Sequence, residues 1–591
     1  MKQSQFSEKS SEKTSSKNIL TRHLSPKILS SVERAYNTFS PAERALFWII
    51  SLAIIIISLG LFTRLYSNVL VEVPSKGGTY NEGIVGTPRF INPLLAISDA
   101  DRDLTKLIYS GLLKTDNEGN FIPDLADSYA VSEDGLTYDF TLKDNLSFHD
   151  GEPLTSADIE FTIKKAQDPL IKSQKRSIWD GVTVNVIDDK HIQFILKQAY
   201  TPFLENTTIG ILPKHIWNDI DVDQFTFSVF NVEPIGSGPY KIKNVKENSI
   251  RTPIEYNLTP FEKYTGGEAY IKKLNIHLFP NDAELVKAFE KKDIEAMGGV
   301  DPKIAREYDG KNVNVMTSNL PRIFGVFFNQ NQNQILLNNT VRKALNISVD
   351  RNEIIEKVLQ GYGTTITSPE ITETPKETTD INDRIKEAND ILEDNGWIMN
   401  PDTGIREKKT KTETTPLSFS LSTGEKTDLK LTAQLLKEQW KKIGVDISVN
   451  IYENGDLNQN IIRPRKYEAL LFGEVVGRNL DLYPFWHSSQ RNDPGLNIAE
   501  YANITADKAL EDLRNEQDKD RREALLDTLY SEIQKDLPAI FLYSPQYTYV
   551  NRGETKSIEL DNINLPSDRF ISINKWYKDT NKVWSILNKN N

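Results

Sequence analysis

Residues 77–163 read GGTYNEGIVGTPRFINPLLAISDADRDLTKLIYSGLLKTDNEGNFIPDLADSYAVSEDGLTYDFTLKDNLSFHDGEPLTSADIEFTI. Within this stretch Tyr138-Asp139-Phe140-Thr141-Leu142 alternates apolar and polar residues, the period of a half-buried strand. Thr155-Ser156-Ala157-Asp158 then opens a helix that runs through Ala166, with Thr155 or Ser156 as cap and Asp168-Pro169 as stop. Strand and helix signals lie within thirty residues of each other, so the stretch belongs to a mixed α/β body.

The same alternation continues outward. His191 to Leu196 reads as a looser strand. From Thr427-Asp428, the residues Leu429, Ala433, Leu436, Trp440 and Ile443 fall on one helical face and Gly444 ends the helix. Val445, Ile447, Val449 and Ile451 then alternate as a strand. A further helical pattern spans Asp507 to Asp536, and Pro538 closes it. Ser368–Asp380 and Lys408–Thr415 are Thr, Glu and Lys with little to bury, and read as solvated loops or a hairpin tip.

Ala45 to Phe62 is eighteen residues without a charge, ALFWIISLAIIIISLGLF. That approaches the ~20 needed to cross a hydrocarbon core, and the isoleucine run is apolar around its whole circumference. Residues 1–44 carry eight basic and four acidic side chains, which by the positive-inside bias places them in the cytoplasm. The first eighteen of them have almost nothing to bury and read as disordered. The basic region is too long for an ordinary signal peptide, so the expectation is an uncleaved, single-pass anchor in the cell membrane over 45–66.

The chain has 591 residues and a net charge of −12, and the part after residue 44 carries 63 bases against 79 acids. Such a body repels phosphate backbones, which disfavours nucleic acid as a partner. The absence of cysteine excludes disulfides, thiolate metal sites, Cys nucleophiles and a lipid-modified N-terminal Cys. No G-x-S-x-G, H-E-x-x-H or phosphate-loop motif occurs, and no two of the six histidines are spaced as a metal pair. Gly236-Ser237-Gly238-Pro239-Tyr240 is glycine-rich, but Pro239 lacks the N–H that a phosphate cradle needs. It reads as a strained turn entering a strand. The expectation is therefore no catalytic residue, no metal and no cofactor; a hydrolase stays open only if a carboxylate pair emerges in a cleft.

Residues 77–163 resemble the extracytoplasmic solute-binding proteins of ABC importers, in the oligopeptide- and dipeptide-binding family (family 5). The likeness rests on the opening glycines, Asn92-Pro93-Leu94, Leu125-Ala126, Asp134-Gly135-Leu136-Thr137-Tyr138 and Phe148-His149-Asp150-Gly151-Glu152-Pro153-Leu154-Thr155. Further on come Gly236-Ser237-Gly238-Pro239-Tyr240, Val341-Arg342-Lys343-Ala344-Leu345-Asn346, Gly396-Trp397 and Tyr467-Glu468-Ala469, in the family's order. The resemblance implies a two-lobed α/β clamshell of the periplasmic-binding-protein type, with an extra subdomain in lobe 1, here preceded by one transmembrane helix.

By that analogy lobe 1 spans 76–320 with an insert at about 111–212, lobe 2 spans 321–543, and 544–591 returns to lobe 1. The crossings fall near Asn319–Val326 and Phe541–Tyr549. The implied function is capture of extracellular peptides by a monomeric protein tethered through its N-terminal helix, and delivery to an ABC permease. Oligosaccharide or metal-chelate ligands, or ligand sensing without transport, are the alternatives.

The resemblance also implies site residues. Asp481 takes the position of the carboxylate that pairs with a peptide's α-ammonium, although the same residue would cap the helix beginning at Leu482-Tyr483. Tyr483 and Trp486 are candidates for a side-chain pocket. Arg89, Phe90 and Asn92 belong to a loop that faces the cleft in relatives, with Asn92-Pro93 also suited to shaping a turn. Arg322, beside a crossing, is a candidate partner for a ligand carboxylate.

Overall fold

The computed structural model describes residues 34, 36–370, 379–477, 481–516 and 518–584. Most of the tail, the middle of the 368–380 segment and residues Asn479 and Leu480 therefore lie outside the described residues. The chain divides into two compact units, residues 1–73 with 580–591, and residues 74–579.

In the first unit one helix, Pro41–Val69, begins with Pro41 in its first turn. Ser40 and Glu43 bond each other's backbone N–H groups at its start, a capping box. Its 29 residues span about 44 Å, longer than a hydrocarbon core of ~30 Å. The stretch Pro41–Leu61 is long and apolar enough to cross a membrane and buries nothing against the protein. The strand Leu70–Pro74 follows at once and pairs with Thr580–Trp584. These last residues were expected to return to lobe 1; they pair instead beside the end of this helix.

In the second unit a twelve-stranded mixed sheet forms the frame among the described residues. One half holds Gly77–Val85 parallel to Ile271–Phe279, which continues antiparallel into Pro253–Pro260 and Tyr240–Glu247. The other half holds Ser418–Gly424 parallel to both Asp446–Tyr452 and Ala469–Val475, the last antiparallel to Arg322–Phe328. The strand Ala539–Asn551 joins the halves. Its first residues pair with Arg322–Phe328, and its last with Asn314–Asn319 and Ala296–Gly298. The chain thus crosses twice, once through Asn319 to Arg322 and once along a single unbroken strand.

Hydrophobic cores follow this division. The first half and its insert share one that includes Trp179, Trp217 and Trp576, and a smaller one gathers Leu285, Phe289 and Met297. The other half has a core on each face of its sheet, one around Trp440 and one around Trp486. The helix Thr427–Lys441 buries Leu429, Ala433, Leu436 and Trp440, the face that the periodicity marks. The pattern from Asp507 to Asp536 is two helices rather than one, Ile504–Asn515 and Lys519–Asp536. The Asp518 carboxylate accepts the Arg521 N–H and starts the second, a cap that apolar periodicity does not register. A separate four-stranded antiparallel sheet, which contains Thr137–Leu142 and His191–Ile195, lies between the first and second strands of lobe 1 in sequence.

The returning chain is fixed by a buried charge cluster. The Arg569 guanidinium donates to Glu82 at 3.0 Å and to both oxygens of Asp103 at 2.8 and 2.6 Å. Tyr549 donates to the other Glu82 oxygen at 2.7 Å, so Tyr80, 2.7 Å away, donates to Tyr549. A lone buried charge costs several kcal/mol, and this network satisfies each one.

Gly236 and Gly238 have no positive φ, so the expected strain is absent. A Cβ there would stand 2.1 and 2.6 Å from the Ile108 carbonyl group. The glycines permit close approach to the end of the helix Asp99–Ile108. The Gly236 N–H donates to His149 Nδ1 at 3.3 Å, leaving Nε2–H for the Gly238 carbonyl at 3.1 Å. Burial lowers the His149 pKa to about 4, so it serves here as a neutral hydrogen-bonding residue.

Candidate functional site

The helix Asp99–Ile108 builds one wall of the cleft. Ser98 caps it, with Asp101 completing the box. The Asp101 carboxylate also accepts the N–H groups of Arg89 at 2.7 Å and Phe90 at 2.9 Å, which folds the preceding loop over the helix start. Asn92 is fully buried, accepts the Leu94 N–H at 2.9 Å and donates to Asn231 at 3.1 Å. Its role is to shape the turn that presents Pro93 and Ala96.

This wall, the insert, the returning chain and the segment after Ala469–Val475 enclose a cavity of about 510 Å³. Val475, Val476, Gly477 and Asp481 line it from lobe 2, and Arg102, Lys106, Lys114 and Lys175 bring positive charge from lobe 1 and its insert. Lys106 meets Asp568 at 3.5 Å, and Lys114 meets Asp124 at 3.5 Å and Tyr264 at 3.1 Å.

Asp481 lies where the two sides meet. Its Oδ2 accepts from Arg514 at 3.2 Å and from the Tyr200 hydroxyl at 3.2 Å, while Oδ1 accepts the Tyr483 N–H at 3.3 Å. The Arg514 guanidinium lies 4.2 Å from the Tyr483 ring and 5.2 Å from the Tyr200 ring. Thr201 adds a backbone and a side-chain donor to the Arg514 carbonyl, both at 3.1 Å. The insert and lobe 2 are thereby latched through one carboxylate and one guanidinium. Burial and the Asp481 charge together push the Tyr200 pKa well up, so its hydroxyl stays a donor.

Of the seven residues that the resemblance implied, Asp481 alone lines the cavity among the described residues. Trp486 does not: it is fully buried in lobe 2, packed on Phe327, Phe541 and Tyr501. Its large apolar ring is worth more in the core than at a wet cleft. Tyr483 is stacked between Arg514 and His487, the latter 4.1 Å away at 14°. Arg89 is exposed over the Phe90 ring, and neither reaches the cavity wall. Arg322 stands at the start of its crossing strand. Tyr200, Arg514, Arg102 and Lys175 were not expected. Nothing local marks Tyr200 and Arg514, because each acquires its role from a partner distant in sequence.

A cleft between two lobes joined by crossing strands, with a polar cavity between them, defines a solute-binding protein of the clamshell type. The chain belongs to the bacterial extracellular solute-binding proteins, family 5, whose central region matches residues 120–495. These are binding components of ABC importers, and the protein is a binding protein rather than an enzyme. It is similar to the oligopeptide-binding protein AppA of Bacillus subtilis (strain 168), 29% identical over 485 residues that cover 80% of this chain and 87% of AppA. The structure of AppA in complex with a nonapeptide superimposes with a TM-score of 0.65 at 26% identity, covering 86% of this chain and all of that one. The nickel-binding periplasmic protein of Escherichia coli (strain K12) is 27% identical over 363 residues, 58% of this chain and 65% of that protein.

Proposed function

We propose that the protein is a membrane-anchored receptor that captures extracellular peptides and delivers them, as a monomer, to an ABC permease. The observation that carries this reading is the likeness to AppA along four-fifths of the chain, including the peptide-bound structure. The uncharged helix supports the tether: without any cysteine a lipid anchor has no attachment point, and a spanning helix holds better than one acyl chain. Basic residues before the helix support a cytoplasmic N-terminus. The nickel-binding relative favours a second reading, a metal chelate. Among the described residues no group of three His, Cys, Asp or Glu could hold a metal ion, so such a metal would arrive with its own ligands.

Asp481 takes the ligand's ammonium in this reading, exchanging Arg514 for it as the lobes close on a peptide. Mass spectrometry of molecules released from the denatured, purified full-length protein tests the class: peptides are expected, and chelates or sugars in their place overturn it. For Asp481 the test is a pool of synthetic tri- to decapeptides with free or acetylated N-termini. Acetylation should weaken binding about tenfold or more, the worth of a charge-assisted hydrogen bond, and Asp481→Ala should abolish the distinction. Equal binding of both pools to the unaltered protein would leave Asp481 a latch and a cap only.

A further inference from the structure

Four buried arginines show how this fold holds a guanidinium for good. In Arg342, Arg406 and Arg465 the Nε, Nη1 and Nη2 groups all donate to oxygen atoms. Arg569 adds a carbonyl oxygen to its two carboxylates. Arg514 is held differently. Its side chain is 34% exposed and donates one hydrogen bond among the described residues, from Nη2 to Asp481 at 3.2 Å. Charge-assisted bonds of this kind ordinarily close to about 2.7–2.9 Å. The Nε of Arg514 is sealed from solvent without a partner among the described residues. The rest of its hold is on the faces of two rings, Tyr483 at 4.2 Å and Tyr200 at 5.2 Å.

A carboxylate flanked by aromatic faces suits a cation of any origin. Asp481 and Tyr200 line the cavity, and Arg514 does not. A ligand's cation thus meets the carboxylate from the cavity, while the protein's own cation reaches it from the helix Ile504–Asn515. Oδ2 already accepts two hydrogen bonds and Oδ1 one. Two cations on one carboxylate repel, and an ammonium brings three donors of its own. The incoming group therefore does best by replacing Arg514, and a guanidinium one-third exposed returns to water at small cost.

We infer that Arg514 is a resident substitute for the ligand's cation: it occupies Asp481 in the empty protein, competes for it, and so sets how strongly the site discriminates charged from uncharged ligands. The inference rests on the peptide reading, in which Asp481 receives the α-ammonium. Apparent affinity is lowered by the fraction of protein whose site is already filled.

The test compares the full-length protein in detergent with Arg514→Met and Arg514→Lys. The ligands are the pool of tri- to decapeptides with free and with acetylated N-termini. Methionine removes the charge, whereas the two bonds from Thr201 end on the Arg514 carbonyl and survive the change. In Arg514→Met free amines should bind about threefold to tenfold more tightly, the worth of one partly exposed ion pair with ring contacts. Acetylated peptides leave Asp481 to its resident partner, so their affinity should stay within about twofold. The ratio of free to acetylated binding then rises, and a general loosening of the fold, which acts on both pools alike, cancels from it. Arg514→Lys restores a cation and should bring the ratio back to within about twofold of the unaltered protein. A free-amine preference that Arg514→Met leaves unchanged or lowers, or that Arg514→Lys raises equally, overturns the substitute and leaves the peptide reading standing. Equal binding of the two pools by all three proteins, or binding of neither, overturns the reading of Asp481 itself and this inference with it.

Discussion

Glu474 is a carboxylic acid in the wrong surroundings. It sits opposite Ile323 in the ladder, is 5% exposed, and neither of its oxygens has a hydrogen-bond partner among the described residues. Burial drives its pKa well above the ordinary carboxyl value, because no neighbour repays the loss of hydration. The native state therefore keeps a proton that the unfolded chain releases above about pH 4.3. Unfolding then releases a proton, so stability falls as pH rises, until the folded pKa is passed. Glu474→Gln is neutral and of the same size. Its stability relative to the unaltered protein should increase by about 1.4 kcal/mol per pH unit above that point. Urea unfolding of both proteins from pH 4 to 9 measures this, and parallel pH profiles would show Glu474 ionised in the fold. In the sequence Glu474 is one of 83 carboxylates and looks like any other. Arg569 is as deeply buried but fully paired, and only the fold separates the two cases.

Elements were more legible than residues. The faces of Thr427–Lys441 and of Ser156–Gln167 could be read because a helix repeats its burial every three to four residues. The end of the first helix at Asn515 could not, since the start of the next rests on one side-chain cap between two patterns of the same period. The stretch 45–61 of the helix Pro41–Val69 is the simplest case: it is apolar all round and buries nothing within the protein. The full chain is expected in the membrane fraction and to need detergent, with its N-terminus intact. N-terminal sequencing after fractionation decides this; soluble protein that begins after Phe62 would mean a cleaved leader.

At the scale of the molecule the two lobes meet through Tyr200, Asp481 and Arg514. Hinge closure around ligands is an established motion for lobes joined by short crossings. The chain has no native cysteine, so cysteines introduced at exposed Gln198 and Lys508 would carry the only spin labels. Pulsed electron resonance should give a shorter, narrower distance with the peptide pool bound. Arg514→Ala should broaden the distribution of the empty protein, because it removes both the ion pair and the stacking on Tyr483. An unchanged distribution on proven binding would rule out closure.

The amino-acid sequence by itself determined the class of fold, the order of the motifs, the apolar helix and the exclusion of cysteine chemistry. Each of these is written in local period, composition or a contiguous run of residues, so it survives without knowledge of contacts. Only the tertiary structure decided that Trp486 is core and that Asp481 already has Arg514 as its partner. Tyr200 and Asp481, which share a hydrogen bond, stand 281 positions apart in the chain. A charge is worth little or much according to what surrounds it, and the surroundings of a cleft residue come from the opposite lobe.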